Sequence, residues 1–301
     1  MKNKILLFLK GVLMGICDLI PGISGGTIAF ITGIYTRLIE AVKAFSFKLV
    51  YDIILLNKKE LKKDIKKLEL GFLFTLFLGI GFAILAGSRI IKFLLENYFA
   101  YTLSFFVGLI IASSKIIFDN IKNHKMKNIL FGVMGLILGI LLSFLIPKTI
   151  TPSLYYVFIG GFFAISAMFL PGISGAFILL IMGLYEFMIN VLHDILRNIS
   201  YFIVFGLGAV LGAFAISRVI SFLFRKDKCK TLYFLLGLVI GAVSIPIKRI
   251  IEITSFNISN SFIMLGLFLW SILIVITISH YGKIYKRKLQ KVEDEIEKEL
   301  I

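Results

Sequence analysis

The chain has 301 residues, of which 59% are hydrophobic, and its formal net charge is +16. The mean hydropathy of +0.98 excludes a soluble globular protein, because a chain of this length could not bury so much apolar surface. The basic residues lie in the connections between apolar segments, where they set membrane orientation and attract anionic lipids. We therefore predict no nucleic-acid partner.

The apolar segments predict an all-α polytopic membrane protein, since they are too long and too uniformly apolar for the strands of a barrel. We predict two repeats, at 1–150 and 151–282, and a charged cytosolic tail at 283–301. Each repeat has a re-entrant, broken helical hairpin followed by three transmembrane helices. The predicted parts, in chain order, are a hairpin at 5–42, a basic cytosolic loop at 43–70, three helices within 71–147, a hairpin at 154–193 and three helices within 200–280.

A segment of fifteen residues occurs twice, at 21–35 and at 171–185, with nine identical positions. Both copies begin with Pro-Gly-Ile-Ser-Gly, and both interrupt long apolar runs. The similarity continues into the helices that follow, where Arg89 and Arg218 lie 129 residues apart in matching contexts. Helix-breaking Pro-Gly pairs at corresponding places in two halves of a membrane protein indicate a transport site.

The positions of lysine and arginine predict the orientation of the chain. Of the 33 basic residues, 25 fall in five regions, at 1–10, 43–70, 115–127, 225–230 and 283–301. All five regions are cytosolic, as the positive-inside rule requires, if each Pro-Gly segment is a hairpin that returns to its starting side. Three crossings then separate the hairpins, so the repeats run in opposite directions and both termini are cytosolic. We favour re-entrant hairpins over two full spans, because 5–20 is short for a span.

The Pro-Gly loops are predicted to bind a phosphate group. Their glycines leave backbone N–H groups open, and the helices that follow, predicted to start near Thr27 and Phe177, have positive N-terminal ends that attract anions. The alternative is a structural kink closed by neighbouring helices. The predicted binding residues of the two loops are Ser24, Gly25, Gly26, Thr27, Ser174 and Gly175.

Arg89 and Arg218 are the two other candidates for phosphate binding. Each is surrounded by apolar residues, and a guanidinium can hold phosphate oxygens through two parallel hydrogen bonds. Opposite orientation of the repeats places Arg89 towards the outer face and Arg218 towards the inner face. The alternative is that each side chain extends to the lipid headgroups, and Lys92, one turn after Arg89, favours that alternative.

Asp18 precedes the first motif inside an apolar run, and its counterpart in the second repeat is Met168. A charged, unpaired carboxylate is costly in the membrane, so Asp18 is expected to pair or to hold a proton. We predict that it couples transport to a proton or a cation. The alternative is a capping or salt-bridge role at the tip of the hairpin. Glu40 and Glu186, near the hairpin ends, are interpreted as interfacial.

The sequence Gly-Ile-Cys-Asp-Leu-Ile-Pro-Gly-Ile-Ser-Gly-Gly-Thr at 15–27 resembles the signature of the polyprenyl-phosphate transporter family. Leu-Pro-Gly-Ile-Ser-Gly at 170–175 resembles it as well, although Ala176 stands where the first copy has Gly26. The resemblance spans about 5–280. It implies return of undecaprenyl phosphate from the outer to the inner leaflet of the bacterial plasma membrane, which recycles the lipid carrier of cell wall biogenesis.

The combined prediction is a translocase of polyprenyl phosphate that alternates access between inverted repeats, with no catalytic residue, metal or cofactor. Its expected partners are polyprenyl phosphate, anionic membrane lipids and a coupling proton or cation. The alternative is a transporter of a small soluble anion, which would not need a lateral opening between helices for a lipid tail. A lipid phosphatase is disfavoured, because the sequence shows neither a partnered histidine nucleophile nor clustered acids. A scaffold would not need two broken helices.

Overall fold

The computed structural model describes residues 2–19, 24–44, 68–119, 121–145, 151–254 and 257–277. Within these ranges every regular element is a helix, and most of the predicted basic loop and the whole tail lie outside them. The helices are α1 (Lys2–Asp18), α2 (Gly25–Ile31), α3 (Tyr35–Lys43), α4 (Leu70–Asn97), α5 (Phe99–Asp119), α6 (Met126–Leu142), α7 (Leu154–Met168), α8 (Gly175–Ile181), α9 (Tyr185–His193), α10 (Ile199–Lys226), α11 (Lys228–Ala242), α12 (Ser244–Ile253) and α13 (Ile258–Thr277).

The described helices confirm a multi-pass, all-α membrane protein with broken helices. Five apolar stretches are long enough to cross a bilayer, at Leu70–Gly87, Phe99–Asp119, Ile199–Lys226, Lys228–Ile253 and Ile258–Thr277. Helices α8 and α9 form a further apolar pair that is bent by 116°. Many large apolar side chains on these helices are exposed, as expected of surfaces that face lipid.

Each hairpin contains three helices, because a second break follows the Pro-Gly turn. Helices α2 and α3 are separated at Gly33, with φ of 75°, and α8 and α9 at Gly183, with φ of 68°. Glycine is favoured there because side chains with a Cβ rarely adopt positive φ. Both glycines belong to the repeated segment, but the sequence analysis did not predict a break at them. Helices α2 and α8 also begin at Gly25 and Gly175, two residues before the predicted starts.

Equivalent glycines make equivalent helix contacts in the two halves. A Cβ on Gly11 of α1 would overlap the carbonyl oxygen of Leu76 in α4, and one on Gly15 would overlap that of Ile80. The matching position in α7, Gly161, lies in the same way against α10. Because the contact moves from Leu76 to Ile80 as it moves from Gly11 to Gly15, α1 runs parallel to α4. The chain therefore leaves each hairpin on the side from which it entered.

Helices α6 and α11 form the closest contact between the two halves. Gly132 faces Tyr233, and one heptad later Gly139 faces the backbone of Ala242. The two positions advance in the same direction, so α6 and α11 are parallel. Their backbones approach closely because glycines line both sides of the contact, including Gly132 on α6 and Gly237 on α11.

Candidate functional site where the two motifs meet

The second Pro-Gly motif forms a tight turn between α7 and α8. Gly172 has φ of 91°, and its backbone N–H donates a hydrogen bond of 2.8 Å to the hydroxyl of Thr27 in the first hairpin. A Cβ at this position would lie 2.9 Å from the Leu238 carbonyl oxygen and 2.9 Å from the Cα of Val239, both in α11. Gly172 is therefore required both by its backbone conformation and by the lack of space beside it.

Replacing Gly172 with alanine is expected to lower the free energy of unfolding by about 2–4 kcal/mol, from the positive φ and the overlap with α11 together. The control is Gly206→Ala in α10, because a Cβ on Gly206 meets no atom within 4 Å. Thermal unfolding of the purified variants in detergent measures the difference. Equal midpoints for the two variants would contradict this account of the turn.

The first motif closes its helix end with its own side chains. Ser24 caps α2, and its hydroxyl accepts a hydrogen bond of 3.1 Å from the N–H of Gly26. The carboxylate of Asp18 accepts a second one, of 2.7 Å, from the N–H of Gly25. Residues 20–23, which include Pro21 and Gly22, lie outside the described residues. Two of the N–H groups predicted to hold phosphate are thus bonded within the hairpin.

The two carboxylate oxygens of Asp18 have different surroundings. Its Oδ1 bonds to Gly25, whereas its Oδ2 is buried and has no hydrogen-bond partner among the described residues. Buried polar atoms are nearly always satisfied, and exceptions often mark functional positions. The predicted role of Asp18 in coupling concerns this carboxylate and stays a prediction.

The two motifs meet in the interior of the protein. Besides the bond between Thr27 and Gly172, the hydroxyl of Tyr35 donates to the carbonyl oxygen of Phe169 at 2.8 Å. A Cβ on Gly26 would lie 2.5 Å from the Met168 carbonyl oxygen, so the start of α2 abuts the end of α7. Thr27 is 1% exposed, which makes this one of the most deeply buried polar contacts described.

The other predicted residues of the second motif, Ser174 and Gly175, lie at the start of α8. Ser174 is the N-cap of α8 and is 5% exposed, but its side chain makes no capping hydrogen bond. Gly175 lies against α7, where its Cβ would come within 2.7 Å of the Ala164 carbonyl oxygen. A small cavity at the junction is lined by both copies of the motif, through Ser24, Thr27 and Gly172.

The two predicted arginines have different surroundings. Arg89 is exposed on α4, towards its C-terminal end. Arg218 is partly buried on α10, where its guanidinium donates to the carbonyl oxygen of Phe214 at 2.9 Å and lies over the ring of the same residue. Both of these contacts are with a residue of the same helix, one turn earlier.

A polar network joins α3 and α10. The sequence analysis did not predict it and placed Glu40 only at the membrane–water interface. The hydroxyl of Ser221 donates to Glu40 Oε1 at 2.5 Å and accepts from Lys43 Nζ at 2.7 Å. Arg225 lies 3.6 Å from the other oxygen of the same carboxylate. Ser221 is 1% exposed, so this network ties the first hairpin firmly to the second half. The sequence signal for this network was the spacing of Glu40 and Lys43, since residues three apart lie on the same face of a helix.

Residues 14–262 match the family described as VCA0040-like, undecaprenyl phosphate translocase-like. The chain belongs to this family. It is 36% identical to a polyprenyl-phosphate transporter of Vibrio cholerae over 241 residues, which cover 80% of this chain and 77% of that protein. It is 27% identical to a polyprenyl-phosphate transporter of Staphylococcus aureus over 252 residues, which cover 78% of this chain and 83% of that protein. No solved structure matches it.

The match to the undecaprenyl phosphate translocase-like family includes both motifs and both arginines. Of the predicted site residues, those of the two motifs and Asp18 are brought together by the structure. At the junction the structure places the hydroxyls of Ser24 and Thr27 and the N–H of Gly172, which is bonded to Thr27, within apolar walls. Hydroxyls within apolar walls are the kind of polar group that orients a ligand in a binding site.

Proposed function

We propose that this protein moves polyprenyl phosphate from the outer to the inner leaflet of the plasma membrane and performs no chemical step on it. The observation that carries the proposal is the junction of two Pro-Gly turns, where Gly172 bonds to Thr27 across the two halves. Broken helices that meet within a membrane protein are typical of transporters with internal repeats. The names of the relatives supply the substrate class.

Parallel packing of α6 and α11 supports opposite orientation of the two repeats. If α4, α5 and α6 cross the membrane in turn, α6 runs in the same direction as α4. Helix α11 then shares that direction, and α10, the helix before it, runs the opposite way. Since α10 corresponds to α4 in the repeat, the second half is inverted with respect to the first. Inversion provides two equivalent arrangements, open to opposite sides.

We propose that the phosphate binds at the junction of the motifs and competes there with Asp18. The candidate binding residues are Ser24, Gly25, Gly26, Thr27, Ser174 and Gly175. Since Asp18 already accepts from Gly25, a second anion is repelled while the carboxylate is charged. Uptake of a proton or a cation at Oδ2 removes that repulsion, which couples the ion to phosphate binding.

Arg89 and Arg218 are proposed to hold the phosphate before and after its passage through the junction. Their matching positions in inverted repeats place them towards opposite faces of the membrane. Arg218 lies on α10, where it donates a hydrogen bond to the carbonyl oxygen of Phe214 in the same helix.

The proposed orientation predicts which connections face the cytosol. In a background with Cys17 and Cys229 replaced by alanine, Arg197→Cys is expected to react with an impermeant maleimide in intact spheroplasts. Lys122→Cys and Lys228→Cys are expected to react only after the membrane is permeabilised. All three side chains are exposed in the structure, so accessibility to water and not burial decides the result. Reaction of Arg197→Cys from the same side as Lys122→Cys would exclude inverted repeats.

The test of function is leaflet-resolved movement of labelled polyprenyl phosphate in proteoliposomes. We expect the purified chain to equilibrate the lipid between leaflets, and inorganic phosphate to remain outside the vesicles. Uptake of inorganic phosphate without lipid movement would identify a transporter of a small soluble anion instead. The groove described below favours the lipid, because an isoprenoid tail needs an opening towards the bilayer.

A further inference from the structure

A groove of about 730 Å³ lies between α6, α10 and α11. One face of α10 forms its longest wall, where Ile216, Val219 and Leu223 recur at helical spacing. Val219 is 52% exposed, whereas Ile220, on the floor, is 2% exposed. The groove is therefore open along one side, in the direction that faces lipid.

The groove has a charged end, at the turn between α10 and α11. Lys226, Asp227 and Lys230 line that end. Lys230 forms an ion pair of 2.8 Å with Asp227, and its hydrogen bond to the carboxylate keeps the pKa of Asp227 below its usual value. No ion pair joins Lys226 to another of the described residues, so the charged end carries a net positive charge. An anionic headgroup fits this end of the groove.

The opposite end of the groove reaches the motif junction. Leu170, the residue before Pro171, forms part of the wall, and its carbonyl oxygen lies 3.7 Å from the position of a Cβ on Gly26. From Ile216 to Asp227, α10 rises about 16 Å at 1.5 Å per residue. That rise is about half of the roughly 30 Å hydrocarbon thickness, so the groove has the depth of one leaflet.

We propose that this groove holds polyprenyl phosphate in the cytosolic leaflet, with its phosphate on Lys226 and Lys230 and its isoprenoid chain along α10 towards Leu170. The proposal rests on the proposed function and adds the position from which the lipid leaves the junction. A phosphate monoester carries nearly two negative charges at neutral pH, whereas a phospholipid diester carries one. Two lysines beside a channel one helix face wide match the single-chain monoester better.

The experiment uses the full chain in nanodiscs with a polyprenyl monophosphate that carries a photoreactive group on its isoprenoid chain. We expect cross-links to map to residues 216–235. Val219→Trp, which fills the groove, is expected to reduce cross-linking at least about tenfold. Leu207→Trp is the matched control, because Leu207 lies on the same helix, is similarly exposed at 56% and does not line the groove.

The headgroup contact is tested with the double variant Lys226→Ala, Lys230→Ala, which is expected to lose at least about tenfold in cross-linking through the loss of two charge-assisted hydrogen bonds. Lys228→Ala is the control, since Lys228 belongs to the same turn but does not line the groove. Unlabelled polyprenyl phosphate is expected to compete with the probe, and phosphatidylglycerol to compete at least tenfold more weakly.

Equal cross-linking of the Val219→Trp and Leu207→Trp variants would overturn the proposal, as would equal competition by phosphatidylglycerol, which would indicate an ordinary lipid-facing surface. The assay of lipid movement between leaflets distinguishes failure of the groove proposal from failure of the proposed function. Lipid movement without cross-links in the groove would exclude the groove and leave the function standing. Competed cross-links in the groove without lipid movement would support the groove and exclude translocation.

Discussion

Asp18→Asn is expected to reduce the movement of polyprenyl phosphate at least about tenfold and to remove its dependence on pH. The amide retains an oxygen that can accept from the N–H of Gly25, so the end of α2 stays closed. The side chain loses its negative charge and can no longer bind and release a proton at Oδ2. A tenfold reduction in rate corresponds to about 1.4 kcal/mol of added barrier, which the loss of the titratable charge is expected to supply.

This prediction is checked in proteoliposomes by measuring lipid movement over a series of pH values. Asp194→Asn is the control, because Asp194 is a carboxylate in the connection between α9 and α10, away from the motifs. Asp18→Ala separates the two roles of the residue, since it removes the bond to Gly25 as well. Wild-type pH dependence in Asp18→Asn would exclude coupling and leave only the capping role.

Thr27→Val is expected to lower the free energy of unfolding by about 1–3 kcal/mol and to raise the barrier to lipid movement by a similar free energy. Valine has nearly the same shape but cannot accept the hydrogen bond from Gly172, whose N–H would then be buried without a partner. The loss loosens the junction between the two hairpins. Thermal unfolding and lipid movement of the same purified variant measure the two effects.

Thr75→Val is the matched control for this substitution. Thr75 lies on α4, and its hydroxyl donates to the carbonyl oxygen of Gly71 in the same helix. Thr27→Ser should restore most of the stability, because it keeps the hydroxyl that accepts from Gly172. Equal behaviour of the valine variants at 27 and 75 would show that the contact between the motifs contributes little.

The broken hairpins could be predicted because their signal is local. Pro-Gly inside an apolar run interrupts a helix whatever surrounds it, and repetition of the segment marked both copies. The second breaks, at Gly33 and Gly183, lie in the same repeated segment but were not predicted, since an isolated glycine is tolerated within many helices. Only the positive φ in the structure shows that these glycines turn the chain.

The contacts of Asp18 show what sequence reasoning could not decide. The alternative role of Asp18, capping at the tip of the hairpin, agrees with its Oδ1, which accepts a hydrogen bond from the N–H of Gly25. The coupling role concerns Oδ2 and stays a prediction. Thr27 was predicted to donate a hydrogen bond to phosphate, and the sequence could not show its bond to Gly172. That bond joins positions 145 residues apart and depends on how the two halves pack. The structure likewise leaves the roles of Arg89 and Arg218 as proposals.

The sequence by itself determined the membrane class, the number of broken hairpins and their places, because hydropathy and helix-breaking residues act over short stretches of chain. It also indicated the substrate family through the two motifs. The tertiary structure alone decided that the motifs meet, that Glu40 bonds to Ser221, and that α6, α10 and α11 enclose a groove with a basic end. These contacts depend on the close approach of helices that are distant in the chain, and packing geometry, not local propensity, fixes that approach.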